Sequence, residues 1–443
     1  MGQNKQIHLM GLIAVTLVAV TVIVGCATKT NPPTPNCDQA TVGSCTTASD
    51  AKIVGCVEPT GATPTAGKVK ATGGCWKNGA GPQPGTCTAI GTHVVYVKNG
   101  VTGGDGTSFA KAFSTVQQAV DEVKAKRPAT STDLYVIAIA QGTYLAKNTV
   151  DSGAGYYAGV DSKGQANLHI WGGFTGDKEC KENHSDDAKL TVIDTEAEHE
   201  NRVLQLVYDK AGDGKNVTVE GLTLTGAGNG GAMRAGGAIR AQFVDLKLVN
   251  LRFVKNVNDE FGAAVALFAS NTVIQNCVFV NNEAAQGGAI FTNNIKQDAP
   301  GAQAMDMTVS ISNCIFGNKD DLAAGANKAT GTDGEGKGGA IWNRRVTAAS
   351  AAGKSLTVTI TDSSFFGNEA GGDGGAIFND GTLALKGTTL FQGNKVAAGR
   401  AGSAIANRKL APKAIYTAED TVKFGENFVG TTAQTGAACV DGP

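Results

Sequence analysis

The sequence lacks an excess of charge of either sign and most of the short motifs that mark catalytic sites. Its 38 Lys and Arg residues nearly balance 39 Asp and Glu residues, which leaves a net charge of −1. This balance gives no electrostatic reason to expect a nucleic-acid partner. Only five histidines occur, and no His-Glu-x-x-His, Gly-x-Ser-x-Gly or phosphate-binding Gly-rich motif is found. We therefore predict no catalytic residue, no metal site and no cofactor.

Glycine, in contrast, is abundant: 60 of 443 residues, roughly twice the usual share. Much of it belongs to a recurring motif, Gly-Gly-Ala-Ile. A second motif, Phe-x-x-Asn, precedes most copies of the first. The Gly-Gly-Ala-Ile copies stand at 236–239, 287–290, 338–341 and 374–377, with weaker copies at 262–265 and 402–405. The Phe-x-x-Asn copies stand at 253–256, 279–282, 365–368 and 391–394, with a degenerate copy, Phe316-Gly-Asn318.

These copies recur about every 25 residues, with two longer steps, and such a period is typical of stacked repeats. The apolar runs between them are short and alternating, as in Leu356, Val358 and Ile360, which indicates strands rather than helices. Each unit is therefore predicted to be one coil of an all-β solenoid with parallel pairing between coils. A turn residue that tolerates left-handed backbone angles precedes each Phe. These residues are Gly221, Asn250, Asn276, Asn313, Asp362 and Gly387.

The paired motifs resemble the repeats of chlamydial polymorphic outer-membrane proteins and related bacterial surface β-helices, over about 221–407. The resemblance implies a right-handed parallel β-helix of the pectate-lyase-like superfamily. We further predict an N-terminal capping helix over 113–123, because Ser114 and Gln117 fit a capping box and Val116, Val120 and Val123 share one face. Such a helix would cover the open first coil.

The N-terminus predicts secretion and anchoring. Lys5 is followed by an apolar run that ends at Cys26, so residues 1–25 are interpreted as a signal peptide. The cysteine position resembles a bacterial lipobox, which implies lipidation of Cys26 and attachment to a membrane. The expected location is the bacterial cell envelope, at the outer membrane or cell surface. A plain transmembrane anchor is the alternative.

Residues 26–92 are rich in Thr, Pro and Gly and contain five cysteines after Cys26. We interpret them as a tether, with a small separate domain as the alternative, and Cys75 and Cys87 as ends of a loop that one disulfide could close. The β-helix is assigned to 93–430 and a tail to 431–443. Cys277 and Cys314 are expected to face inward as free thiols, and no bridge is predicted between Cys180 and Cys439.

The residue after Gly-Gly-Ala-Ile is aromatic in three successive full copies: Phe291, Trp342 and Phe378. If the isoleucine faces the core, strand alternation sends the aromatic side chain outward. The three would then form a surface ridge able to bind a glycan or a protein. In the alternative, loops cover these rings or the chain turns them inward.

The favoured function is therefore a non-catalytic adhesive, structural or binding role for a surface-anchored protein. The alternative is a polysaccharide lyase or glycoside hydrolase on the same scaffold. Glycoside hydrolysis needs two carboxylates about 5 to 9.5 Å apart. Most of the candidates lie in Gly-rich stretches where solvated charge is common. They are Asp245, Asp259, Glu260, Asp320, Asp321, Asp333, Glu335 and Asp373.

Overall fold

The structure is a computed structural model in which most of the chain after residue 86 is described. In these segments the chain forms many short strands, one α-helix and a few 3-10 turns. The strands pair in parallel and in register from coil to coil, which confirms the predicted all-β solenoid. The described residues are 87–128, 131–146, 156–157, 167–195, 202–208, 214–228, 235–295, 304–332, 334–346, 353–409 and 413–441.

Four sheets run along the described part of the solenoid, and a complete coil gives one strand to each. The first sheet contains β1 (His93–Val97), β2 (Tyr135–Ala140), β5 (Leu168–Phe174), β8 (Gly214–Glu220), β11 (Val244–Val249), β15 (Thr272–Gln275), β19 (Met307–Ser312), β23 (Leu356–Thr361), β27 (Thr382–Lys386) and β31 (Ile415–Ala418). The second contains β3 (Gly142–Leu145), β6 (Thr191–Asp194), β9 (Thr223–Thr225), β12 (Arg252–Val254), β16 (Val278–Val280), β20 (Ile315–Gly317), β24 (Ser364–Phe366), β28 (Leu390–Gln392) and β32 (Lys423–Phe424).

The other two sheets close each coil. The third contains β13 (Val257–Phe261), β17 (Glu283–Gln286), β21 (Lys328–Ala329), β25 (Glu369–Ala370), β29 (Lys395–Val396), β33 (Asn427–Val429) and β34 (Thr432–Gln434). The fourth contains β4 (Tyr156–Tyr157), β7 (Leu204–Val207), β10 (Ile239–Gln242), β14 (Val265–Phe268), β18 (Ile290–Asn293), β22 (Ile341–Arg344), β26 (Ile377–Asn379), β30 (Ile405–Asn407) and β35 (Val440–Asp441).

The interior is apolar because alternate side chains of each strand point inward. In β23, Leu356, Val358 and Ile360 are buried while the threonines between them are half-buried on the outer face. Val309 and Ile311 of β19 lie beside Val358 and Ile360 in the same register. Each coil therefore covers the apolar side of the next, as the period-2 pattern predicts.

The Gly-Gly-Ala-Ile copies align in one column, since Ile290, Ile341 and Ile377 occupy matched positions of the fourth sheet. The two glycines serve different needs. Gly338 has φ +68°, a left-handed angle. Gly339 has no room for a side chain, because a Cβ there would lie 2.1 Å from the carbonyl oxygen of Gly375, the second glycine of the next copy. The first glycine supplies a turn and the second permits close approach of two backbones.

The predicted turn column is also confirmed. All six residues named for it have positive φ, between +48° at Asp362 and +69° at Gly221. The Phe residues that follow form a buried stack within the coils. Their ring centroids are 4.6 to 5.0 Å apart along Phe253, Phe279, Phe316, Phe365, Phe391 and Phe424.

An amide ladder that the sequence analysis did not predict follows the Phe stack. Asn318 completes the degenerate motif in the sequence, but the ladder position of that coil belongs to Asn327. The insertion that follows Phe316 delays the inward asparagine by nine positions, and Asn318 instead accepts a hydrogen bond from the Asp320 amide at 3.1 Å. The ladder runs through Asn256, Asn282, Asn327, Asn368, Asn394 and Asn427, with Nδ2–Oδ1 distances of 2.8 to 2.9 Å.

The capping helix α1 exists, but it begins three residues later than predicted, at Val116–Lys126. Thr115 and Gln118 form its capping box, not Ser114 and Gln117. The reason lies in Phe113, whose amide donates to Tyr96 O at 2.9 Å and keeps the chain extended at that point. The apolar face of α1 packs into the core at the first coils, as expected for a cap.

One further expectation is corrected at the N-terminal end. Cys87 pairs with Cys180, not with Cys75, which lies outside the described residues; an antiparallel bridge between Ala89 and Cys180 aligns the two segments. Within 431–443, β34 pairs with β33, and β35 adds to β30. The prediction of inward free thiols is confirmed for two cysteines, and no bridge joins Cys180 to Cys439. The free, buried cysteines are Cys277, Cys314 and Cys439.

Candidate functional site

The three aromatic residues that follow the isoleucines form one column on the outer face of the fourth sheet. Phe291 lies beside Trp342, and Trp342 beside Phe378, in the register of the sheet. The preceding isoleucines belong to the core, whereas these rings belong to a separate outer cluster. The column and its outward direction therefore agree with the sequence prediction.

The column is buried, which agrees with the alternative that other parts of the chain cover these rings. Relative exposures are 0% for Phe291, 6% for Trp342 and 8% for Phe378. Phe261, at the end of β13, stacks on Phe291 with centroids 4.6 Å apart, and Phe268 packs beside Phe291 at 5.6 Å. The third sheet thus places an extra ring over the column. We call these five residues the aromatic strip, and its ring faces are not open to stacking with a ligand.

Cationic side chains lie over the strip. The Lys337 Nζ is 5.7 Å from the Trp342 centroid and 5.5 Å from that of Phe378. The Arg344 Cζ is 5.2 Å from the Trp342 centroid. Cation–π contacts of this kind contribute about 0.5–2 kcal/mol each, more as water is excluded. The side chain of Lys337 remains 25% exposed, so its ammonium group lies between the rings and solvent.

One carboxylate is held within the same cluster. The Trp342 Nε1–H donates to Asp380 Oδ2 at 3.0 Å, and Asp380 is only 6% exposed. Burial raises the pKa of Asp380, although the hydrogen bond from Trp342 and the charges of Arg408, Lys337 and Arg344 oppose the shift. Burial also lowers the pKa of Arg344, with Asp380 opposing that change. Asp380 and Arg344 therefore interact electrostatically, and each opposes the effect of burial on the pKa of the other.

Two buried acceptors near the strip have no hydrogen-bond donor in the described structure. They are Oδ1 of Asn293, a residue 4% exposed, and Oε1 of Gln286. Asn293 lies between Phe268 and Arg344 in the outer-face register. Buried acceptors are normally satisfied, so each of these oxygens is expected to accept a hydrogen bond from an ordered water.

The carboxylates named from the sequence are not gathered into one site. Asp245 lies on β11 of the first sheet and accepts from Asn271 at 3.1 Å. Asp259 and Glu260 lie on β13 of the third sheet. Among the described residues, no group of three or more His, Cys, Asp or Glu side chains could hold a metal ion.

The remaining carboxylates make local contacts. Asp321 accepts from the Ala324 amide, Glu335 pairs with Lys337 at 3.3 Å, and Asp373 accepts from the Ala401 amide. Asp320 lies exposed in the insertion after β20. Asp333 falls outside the described residues.

The sequence prediction missed the charged half of the site, which consists of Lys337, Arg344 and Asp380. Each lies close to a Gly-Gly-Ala-Ile copy: Lys337 directly before Gly338, Arg344 three residues after Ile341, and Asp380 three residues after Ile377. A count of charged residues within three positions of every copy would have identified them. Their convergence on Trp342 depends on the stacking of coils.

Cys26, predicted to carry lipid, lies outside the described residues. In the part of the chain that the structure describes, no helix has the length and apolar character needed to cross a membrane.

Comparison with known proteins gives little beyond the fold. No protein-family model matches the chain, and no curated protein is significantly similar to it. Among solved structures, a rhamnogalacturonan lyase is similar, at 11% sequence identity and a TM-score of 0.34. The alignment covers 73% of this chain and 78% of the lyase.

Proposed function

We propose that this chain is a lipid-anchored β-helix of the bacterial cell envelope that binds an anionic glycan and does not act on it chemically. The observation that carries the proposal is the placement of Lys337 and Arg344 over the aromatic strip. The rings hold both cations in place, and the burial of the rings excludes water from the aromatic strip. A ligand that reaches the strip meets these two cations, with Glu335, the ion-pair partner of Lys337 at 3.3 Å, beside them.

The two cations suit carboxylate, sulfate or phosphate groups of such a ligand. Because the candidate carboxylates are dispersed, we propose binding rather than cleavage.

Binding should be tested with the purified protein on an array of neutral, uronate-containing and sulfated oligosaccharides. We expect retention of acidic glycans that weakens as salt concentration rises. The double variant Lys337→Gln/Arg344→Gln should lose at least about tenfold in affinity, since each charge-assisted contact contributes roughly 1.5–3 kcal/mol. Lys354→Gln is the matched control, because Lys354 pairs with Asp306 at the start of the first-sheet strand β19.

Two results would contradict this proposal. Equal binding of neutral and acidic glycans would remove the role of the cations. Shortening of the bound oligosaccharide during incubation, detected by mass spectrometry, would support the lyase or hydrolase alternative instead.

The anchor is proposed from Cys26 and the apolar run before it. Growth with an alkyne fatty-acid probe should label the protein in the membrane fraction, and Cys26→Ala should abolish the label and release the protein from that fraction. Label that persists in Cys26→Ala would show that the anchor lies elsewhere.

A further inference from the structure

A cleft of about 440 Å³ lies at the N-terminal end of the solenoid, between α1 and β1. This volume falls within the range of small-ligand sites, about 300–1,000 Å³. It lies apart from the aromatic strip, since no residue of the fourth sheet lines it. Its polar lining includes His93, Asp105, Thr107, Glu122, Lys126 and Tyr135.

One wall of the cleft is an unpaired strand edge. The peptide group of Tyr96 faces away from β2, because its N–H donates to Gly106 O at 3.0 Å and its carbonyl accepts from Phe113 N at 2.9 Å. Alternate residues of a strand point their peptide groups the same way, so that of Val94 also faces away from β2. Within the described structure it has no backbone partner on that side. An extended peptide can pair with such an edge.

A second wall of the cleft is acidic. Asp105 is exposed, and its Oδ1 accepts from the Thr107 amide at 3.0 Å and from the Thr107 hydroxyl at 2.6 Å. Its Oδ2 has no partner among the described residues. Glu122 forms an i,i+4 ion pair with Lys126 on α1. With one cation against two carboxylates, the cleft favours a ligand with a positive group.

Two stacked rings line the cleft. The His93 ring stacks on Tyr135 with centroids 4.7 Å apart, and its Nε2 lies 3.3 Å from Asp133 Oδ2. The Arg127 Cζ lies 5.6 Å from the Tyr135 ring centroid.

From the strand edge and the acidic wall together, we infer that this cleft binds a short peptide with a free amino group. The peptide pairs with the backbone of Val94, and its ammonium group lies against Asp105 and Glu122. The strand edge binds the backbone of the peptide, and the acidic wall binds its ammonium group. An amine alone uses only the acidic wall, and a blocked peptide uses only the edge.

Titration calorimetry and amide NMR of the purified protein with trialanine and N-acetyl-trialanine test this inference. At pH about 7 the α-amino group of trialanine is protonated, because its pKa is about 7.7–8.0. We expect trialanine to shift the Val94 and Thr107 amides and acetylation to weaken binding at least tenfold. Asp105→Asn/Glu122→Gln should weaken binding equally with an unchanged melting temperature, since asparagine keeps the oxygen that Thr107 needs.

Asp121→Asn is the matched control, because Asp121 is exposed on α1 and bonds only locally, to Gln117. Equal binding of the two peptides, or wild-type affinity in the Asp105→Asn/Glu122→Gln variant, would overturn the inference. So would glucosamine shifting the same amides while trialanine shifts none. Lys337→Gln/Arg344→Gln should bind trialanine normally, which separates this site from the proposed glycan site.

Discussion

The sharpest test of the amide ladder compares two asparagines of one coil. Asn327→Ala removes a buried side chain whose Nδ2 donates to Asn368 Oδ1 and to Phe279 O, each at 2.9 Å. Its Oδ1 accepts from the side chain and the backbone amide of Asn282, at 2.9 and 3.2 Å. Asn318→Ala removes one half-buried side chain with a single local hydrogen bond.

The expected magnitudes differ accordingly. Loss of Asn327 leaves the Asn282 backbone amide and Asn368 Oδ1 without this partner inside a dry column. Each unsatisfied buried group costs about 1–3 kcal/mol, and with the lost contacts we expect roughly 3–6 kcal/mol for Asn327→Ala. For Asn318→Ala we expect less than about 1 kcal/mol, the usual range for a surface change.

Guanidinium unfolding followed by circular dichroism measures both variants. Asn327→Ala should lower the midpoint strongly, with a dependence on denaturant close to wild type if only stability changes. Equal effects at the two positions, or a larger effect at Asn318, would refute the assignment of the ladder to Asn327.

Three further predictions concern other parts of the scaffold. Gly339→Ala should lower the free energy of unfolding by at least about 1–3 kcal/mol through overpacking. Gly371→Ala should lower it less, because the added Cβ would lie 3.2 Å from its nearest neighbouring atom. Thermal unfolding of the two variants compares these effects. Reduction of Cys87–Cys180 should lower the unfolding free energy by about 2–4 kcal/mol, measured with and without dithiothreitol; an unchanged value would deny the bridge a stabilising role. Burial lowers the pKa of His184 below its usual 6.5, so the folded protein takes up this proton less readily than the unfolded chain. Stability should therefore fall as pH drops below about 6.5, and less so in His184→Gln; equal pH dependence in both would contradict this.

Much of the fold could be predicted because each coil repeats the same local requirements. Turn positions such as Asn276 and Asp362 need left-handed angles, and Gly338 needs one as well, so the residue types alone mark the coil boundaries. The position of Asn327 could not be predicted, because the insertion before it breaks the spacing. Only the stacking of coils shows which asparagine enters the column.

The candidate site was predicted in part. Strand alternation placed Phe291, Trp342 and Phe378 in one outward column. Their burial depends on Phe261, which comes from a different sheet, and on the cations Lys337 and Arg344, the latter at the end of β22. The sequence left open whether the column is exposed or covered, because contacts between coils decide this. Its charged partners lie within three positions of the repeat copies, but only the stacking of coils shows that they converge on Trp342.

The central claim is that residues about 50 positions apart become neighbours by the stacking of coils. Ser310 of β19 lies beside Thr359 of β23 on the outer face, and parallel neighbours about 4.8 Å apart suit a disulfide. Oxidation of the Ser310→Cys/Thr359→Cys variant should form this cross-link, seen by peptide mass spectrometry after tryptic digestion, while Ser310→Cys/Thr382→Cys should not. No cross-link in the first pair, or an equal yield in both, would contradict the stacked register.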